Sequence, residues 1–552
     1  MKRNKILALI LTAALTLTTF VGCGGGDKKS AGGEGKPKVM TFELADIKTL
    51  DPGRASDTAS FTAVGAAFEG LARTNNGKVE KAGAESWEVS ADKKTYTFKL
   101  RDYNWSDGKP VTAKDYVYGW TRILDPNTKS VYVDFLNGVK NAKNFTAGKA
   151  KAEDLGLKAK DDKTFVVELE RPIPFFEEMI AFPLLAPVRE DIAKAQGDKY
   201  GTDPTKMVYC GPYTITAWQK GAKLTLKKND KYYDKDAVKT DEVNLSVIKE
   251  MQTRYQMLMN KEIDAVAVTG EYIEKLKNDV KAGKVSGIEQ ADPVSFYMIF
   301  NQTGKNKLLT NPKIRLAFSL AIDRETYVNK IYKRGFVSEG LVPTIVKCGD
   351  VVYRDKVQEP LKELLDQKKD PKALFVEGLK ELGLDPNPSK HTVKYLPQDS
   401  SAFDKQSAEF FQNQWQSKIG VNVQLDSAAS FADSVKKAHD GNFEIAMSGW
   451  GADYNDPDSF IGIFTKGHGN NYGKYSSDKY EELYKKILNE TDNTKRLELF
   501  TQAEKLLVNE EAGIAPIFYK DRRNFFQNNV KGLQHPAFGA TYELKWVYSE
   551  GK

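Results

Sequence analysis

The densest run of ligand-type side chains in this sequence is Asp453-Tyr454-Asn455-Asp456-Pro457-Asp458. Three carboxylates so close together superficially suggest a calcium loop. Such a loop needs glycine at its sixth position and further ligands at fixed spacing beyond it. Here the sixth position is Asp458 and the spacing is not continued, so no metal is expected. The four histidines, His391, His439, His468 and His535, stand far apart without ligand-like spacing and read as surface or locally hydrogen-bonded residues. Gly467-His468-Gly469 reads as a loop rather than a phosphate cradle. The chain has no G-x-S-x-G, no H-E-x-x-H and no G-x-x-x-x-G-K-[ST]. Serine nucleophile, zinc hydrolase and P-loop chemistry therefore lack their usual signatures. No enzymatic activity and no cofactor are expected.

Cysteine chemistry is limited to Cys23, Cys210 and Cys348. Three cysteines exclude a disulfide framework and permit one internal bridge at most. Cys23 has a specific context. Lys2, Arg3 and Lys5 precede an uncharged apolar run over 6–21, too short to span a bilayer comfortably. This is the pattern of a secretory signal peptide, assigned to 1–22. The run ends Phe20-Val21-Gly22-Cys23. A small residue before cysteine resembles the bacterial lipobox, in which the cysteine becomes the lipidated first residue; Phe20 replaces the usual leucine. The following residues are glycine-rich and polar, and they cannot bury enough surface to fold. They read as a tether over 23–38 with a reach of roughly 20 Å. The expected location is the outer face of a bacterial cytoplasmic membrane, held by a lipid anchor.

The elements that must position any site come from the rest of the chain. Its 552 residues suggest two to four domains. A hydrophobic content of 40% supports sizeable cores, and a charged content of 28% excludes a polytopic membrane protein. The net charge of +7 is a weak excess with no dense basic block, so nucleic acid is not an expected partner. Apolar alternation predicts strands over 39–44, 95–100, 164–169, 263–268, 294–301, 394–396, 422–425 and 444–447, with further strands from 211 through 226. Helices are predicted over 63–73, 112–124, 251–259, 402–417 and 480–489, and another begins at Asn311-Pro312. Thr112 and Asp115 form a capping pair at the start of the second helix. The class is mixed α/β with several lobes.

A longer series of motifs then makes a resemblance specific. It runs through Glu69-Gly70-Leu71, Ala84-Glu85-Ser86-Trp87-Glu88-Val89-Ser90, and Trp105-Ser106-Asp107-Gly108-Lys109-Pro110-Val111-Thr112-Ala113-Lys114-Asp115. Gly211-Pro212-Tyr213, Asn311-Pro312-Lys313-Ile314-Arg315 and Ser448-Gly449-Trp450-Gly451-Ala452-Asp453-Tyr454 follow in order. Together these resemble the family-5 extracellular solute-binding proteins, the oligopeptide- and dipeptide-binding components of ABC importers. The resemblance covers nearly all of the chain beyond the tether. It implies an α/β, two-lobed periplasmic-binding-protein-like (type II) fold with an additional inserted domain. The expected first lobe is 39–71, 205–295 and 517–552, the inserted domain 72–204 and the second lobe 296–516. Crossings are expected at 294–301 and 515–519.

The same resemblance implies a receptor that captures oligopeptides between its lobes and hands them to separate permease and ATPase subunits. It is expected to act as a monomer. A peptide ammonium buried between lobes needs a carboxylate, and Asp453 matches that role. Trp450 and Gly451 match one peptide-pairing strand, Ser56-Asp57-Thr58 the opposite loop, and Tyr132 a ligand contact from the inserted domain. Trp87, Trp105 and Trp120 are expected in cores. Ala446-Met447-Ser448 stands where some oligopeptide binders carry an arginine for the peptide carboxylate, so that a carboxylate partner would have to be Lys437 or another base. Cys210 and Cys348 fall in different lobes and are expected as buried thiols. The alternatives are another solute, such as a dipeptide, nickel chelate or sugar, and a secreted hydrolase.

Overall fold

Period-2 burial builds the strands. In β1 (Val39–Glu43) Met40 and Phe42 point into the core. Helix α1 (Thr58–Ala67) follows, capped by Asp57, whose carboxylate accepts from the Ser60 amide at 2.9 Å. The helix expected over 63–73 is thus corrected: it starts earlier and stops at Ala67. The reason lies just beyond it. Asn76 and Gly77 sit at φ of 49° and 73° and turn a hairpin that pairs Ala72–Asn75 with Lys78–Lys81. Asn-Gly is the favoured pair for such a turn, and it draws Arg73 into a strand.

A four-stranded antiparallel sheet comes next, made by β2 (Ala84–Val89), β3 (Thr95–Leu100), β4 (Leu157–Asp161) and β5 (Thr164–Glu168) in the order β2-β3-β5-β4. Helix α2 (Ala113–Leu124) packs on it. Its start follows the expected capping pair, with the Thr112 amide donating to Asp115 at 2.8 Å. Trp105 and Trp120 are fully buried, and Trp120 donates to the Leu185 carbonyl at 2.9 Å. Trp87 is partly buried against the same core.

Further strands are β6 (Tyr213–Gln219), β7 (Lys223–Lys228), β8 (Glu242–Ser246), β9 (Ala265–Ala267), β10 (Ser286–Phe300), β11 (Thr392–Leu396), β12 (Asn422–Leu425), β13 (Ile445–Gly451) and β14 (Ile514–Phe526). With β1 they form the largest sheet among the described residues, in the order β12-β11-β13-β10-β14-β9-β1-β8-β7-β6, and Phe336–Val337 pairs beside β14. Strand β1 is parallel to β8 and β9, and β11 is parallel to β12 and β13. The centre is antiparallel. The first part of β10, 286–291, pairs with 521–526 of β14, which also borders β9; the later part, 295–299, pairs with 514–519 and borders β13. Both strands therefore run from one half of the sheet into the other. The register shifts between Ala291 and Ser295, across Asp292-Pro293-Val294. Proline there has no N–H to give to a ladder.

This computed structural model describes residues 37–551. The signal segment 1–22, Cys23 and most of the expected tether lie outside the described residues. Helices α3 (Pro312–Leu320) and α4 (Ala402–Lys418) cover the β11–β13 half. Asn311 caps α3 by accepting from the Lys313 and Ile314 amides. The buried apolar residues divide accordingly. One cluster joins β1, α1, the small sheet and β6–β8; a second joins the end of β10 to β11, β13, α3 and α4; a third is small and centred on Leu258 and Leu276. Cys210 and Cys348 are buried free thiols in the first and second clusters. In the second, Trp415 meets Phe318 edge-to-face at 5.5 Å and donates to its carbonyl at 3.0 Å. Trp415→Ala should cost about 3–5 kcal/mol, read by chemical denaturation; an unchanged midpoint would contradict this packing.

Candidate binding cleft

A cleft of about 910 Å³ lies between the segments 131–144 and 170–179 on one side and 450–470 and 484–488 on the other. A second compartment of about 430 Å³ adjoins it, and Ser56, Tyr132 and Asp453 line both. Trp450 lines the larger one; Asp57, Thr58 and Gly451 line the smaller. The structure thus brings together all seven residues expected at a binding site, from segments up to about 400 positions apart in the chain. Cys23 lies outside the described residues.

Each of these residues is held by a local device. The side chain of Asp57 is committed to α1, accepting from both the amide and the hydroxyl of Ser60 at 2.9 Å. Ser56 and Thr58 are exposed, so this loop offers its main chain to the cleft. Facing it is the end of β13. Strand β11 pairs with β13 only at Ile445 and Ala446, whereas β10 pairs along 445–451. From Met447 to Gly451 one edge of β13 therefore has no strand beside it among the described residues. An open edge presents alternating donors and acceptors that an extended chain can complete.

Asp453 stands where that edge ends. Its amide donates to Ser459 Oγ at 3.1 Å, folding the following loop back on itself. Desolvation raises its carboxyl to about 6, and a hydrogen bond from the Tyr132 hydroxyl offsets part of this. Tyr132 itself is pushed above the usual phenol range, first by burial and then by the Asp453 charge. No cation is paired with Asp453 among the described residues. A carboxylate in this setting is suited to a cationic ligand group that brings its own hydrogen-bond donors. The rest of the wall is aromatic: Tyr454 stacks on Phe175 at 4.4 Å and 5° and meets Phe135 at 6.1 Å.

Comparison with known proteins gives the family and the fold. Residues 78–472 match the family described as bacterial extracellular solute-binding proteins, family 5 Middle. The chain belongs to this family. It is 33% identical to the oligopeptide-binding protein OppA of Bacillus subtilis over 98% of each chain. It is 30% identical to a dipeptide-binding protein of Lactococcus lactis over 99% of this chain and 100% of that one. The solved structure of Listeria monocytogenes OppA bound to peptide superposes with a TM-score of 0.75 at 31% identity, covering 94% of this chain and all of that one. The fold is the two-lobed type II arrangement of these solute-binding proteins. The family is one of transport receptors and not of enzymes.

Several cleft residues of this family-5 protein were not legible beforehand. Phe175 and Arg171 come from a stretch that reads as an ordinary turn and apolar helix. Arg171 crosses to the far side and donates to the Leu488 carbonyl at 3.2 Å. His468, read as a surface or locally bonded residue, lines the cleft, and burial lowers its pKa below the usual imidazole range. The Gly-His-Gly context was its one signal. Lys437 is corrected: it is held by Asp433 at 3.4 Å and by the Ser427 carbonyl, and lines neither compartment. The basic groups that do line them include Arg171 and Lys143 in the larger and Arg334, Lys520 and Arg522 in the smaller.

The loop after Asp453 is anchored from below. Asp456 is buried and receives both Arg496 terminal nitrogens at 2.9 and 2.8 Å. Removing one member of a buried pair leaves an uncompensated charge and costs about 3–5 kcal/mol. Arg496→Met should show a loss of that size in denaturant unfolding at pH 7. The loss should shrink toward pH 5, because Asp456, already raised to about 6 by burial, then sheds its charge by protonation. A pH-independent loss would place the cost in packing instead.

Proposed function

We propose that this protein captures oligopeptides in the cleft and delivers them to an ABC importer. The observation that carries the reading is the pairing of an open β13 edge with an unpaired, desolvated Asp453 at its end. The peptide main chain lies between Trp450-Gly451 and the loop Ser56-Asp57-Thr58, its amides bonded from both sides. Its α-ammonium meets Asp453 and Tyr132. Main-chain pairing is blind to side-chain identity. Water in a roomy compartment adapts to different side chains. A cavity near the top of the usual range of about 300–1,000 Å³ favours ligands longer than a dipeptide.

In this reading the lobes are 39–71, 205–295 and 517–552 against 296–516, with 72–204 as the inserted domain. Closure about β10 and β14 buries the ligand. The protein works as a monomer, anchored through lipid on Cys23 after removal of 1–22, at the outer face of the cytoplasmic membrane. The tether over 23–38 lets it reach a permease whose energy comes from a separate ATPase, since this chain has no P-loop sequence.

Native mass spectrometry of the purified chain from residue 24 onward, followed by denaturing release, should yield mixed peptides of narrow length. Asp453→Asn should release few or none while keeping its melting temperature. One non-peptide solute in the wild type would overturn the ligand assignment. Affinity should also follow pH in a bell. Below about 6, protonation of Asp453 removes the partner of the ammonium, and binding weakens up to tenfold per unit. Above about 8 the peptide amine itself loses its proton. Tyr132→Phe should move the acid limb upward, because the Tyr132 hydrogen bond lowers the Asp453 pKa. Titration calorimetry with one tripeptide across pH 5–9 reads all three features; a flat profile would remove Asp453 from the ammonium site.

A further inference from the structure

A second carboxylate in the larger compartment is unaccounted for by main-chain capture. Asp458 is 6% exposed, yet it lines the cleft. The Tyr454 hydroxyl donates to its Oδ2 at 2.8 Å. Its Oδ1 is buried without a well-formed hydrogen bond among the described residues, and the Tyr484 hydroxyl is the neutral donor beside the carboxylate. The two neighbouring acids are settled differently. Asp456 is matched by Arg496, and Asp453 is held by Tyr132. Asp458 opens the short helix Asp458–Ile461, but its own amide is already received by Asp456 Oδ1 at 3.0 Å. Capping therefore does not explain its side chain. A buried carboxylate oxygen without a donor carries a desolvation cost that a ligand donor would relieve.

The surroundings favour a cation over a neutral donor. Tyr484, whose phenol is raised by burial, by the Asp458 charge and by its hydrogen bond to Asp458, closes one side and adds no charge of its own. His468 lies within electrostatic reach of both Asp458 and Asp134 and is kept toward its neutral form by burial. Asp134 and Glu170 line the opposite wall. The two nearby arginines are occupied: Arg496 by Asp456, and Arg171 by the Pro172 and Leu488 carbonyls at 3.3 and 3.2 Å. Lys143 also lines the cleft, on the segment that carries Asp134.

We infer that Asp458, with Asp134 across the cleft, forms a subsite for a basic side chain of the bound peptide, so that the protein selects peptides carrying lysine or arginine near the amino end. The position follows from the fold of the loop: Asp453 and Ser459 are hydrogen-bonded, which sets Asp458 close to the ammonium carboxylate. This inference rests on the peptide reading above.

The test uses tetrapeptides of one alanine background with lysine, norleucine, glutamine or glutamate placed in turn at each of the first three positions, titrated into wild-type protein and Asp458→Asn. At one position lysine should bind at least tenfold tighter than norleucine or glutamine, and glutamate more weakly still. Asp458→Asn should abolish that preference, so that the lysine and norleucine peptides bind the variant with equal affinity. Equal affinity for lysine and norleucine at every position of the wild type overturns the subsite and leaves peptide capture standing. Persistence of the preference in Asp458→Asn also overturns it. Failure of every tetrapeptide to bind overturns both readings. If Asp458→Asn does not fold, the wild-type series and Asp134→Asn decide: the preference must be present in the first and reduced in the second.

Discussion

The architecture depends on one pairing, the antiparallel ladder between β10 and β14. Each strand has one end in each half of the large sheet, so the two halves cannot separate without breaking main-chain bonds. The ladder is interrupted at Asp292-Pro293-Val294, where the register shifts. Bending there disturbs the fewest ladder bonds. The charges around the break are not left loose. Asp292 faces Arg522 at 2.8 Å and Lys520 at 3.6 Å, and buried Asp521 faces Arg334 at 2.9 Å and Arg523. Buried ions tolerate displacement poorly, because a broken pair leaves a desolvated charge. Such a cluster holds the two strands to each other while the rest of each lobe packs on its own core.

The cleft makes the same residue type do different things through environment alone. Asp57 is spent on a helix N-terminus, Asp456 on an arginine, and Asp453 on a tyrosine hydroxyl that leaves its charge unbalanced. Of these three only Asp453 faces empty volume without a neighbouring cation, the condition under which a ligand charge contributes most. The aromatic stack of Phe175 on Tyr454 brings opposite walls into contact and lines that side with apolar surface. Low local dielectric then strengthens each polar contact within.

Much of this was legible from local pattern. Strand β3, the helix Met251–Met259, the capping pair of α2 and the Asn311 cap of α3 follow from periodicity and terminal residue types, which act over a few positions. The misread helix after Ala63 shows the limit of that method. Apolar spacing at Val64, Phe68 and Leu71 fits a helix, but the Asn76-Gly77 turn and the buried Arg73 between Glu69 and Glu543 impose a hairpin. Glu543 lies 470 residues away, so no local window contains it. The same reason hid His468 and misassigned Lys437: whether a side chain faces the cleft depends on how its element sits on a distant partner.

The amino-acid sequence by itself determined the alternating class of elements, the absence of familiar catalytic signatures and, through ordered motifs, the family. Those properties are written in residue type and spacing, which survive any rearrangement of the chain. Tertiary structure alone decided which carboxylates remain unpaired. Asp453, Asp456 and Asp458 stand within six residues of each other, and apart from the Tyr454 hydroxyl on Asp458 nothing local separates their roles. Arg496, Tyr132 and Tyr484 do so, each delivered from a different part of the fold to within reach of one of the three.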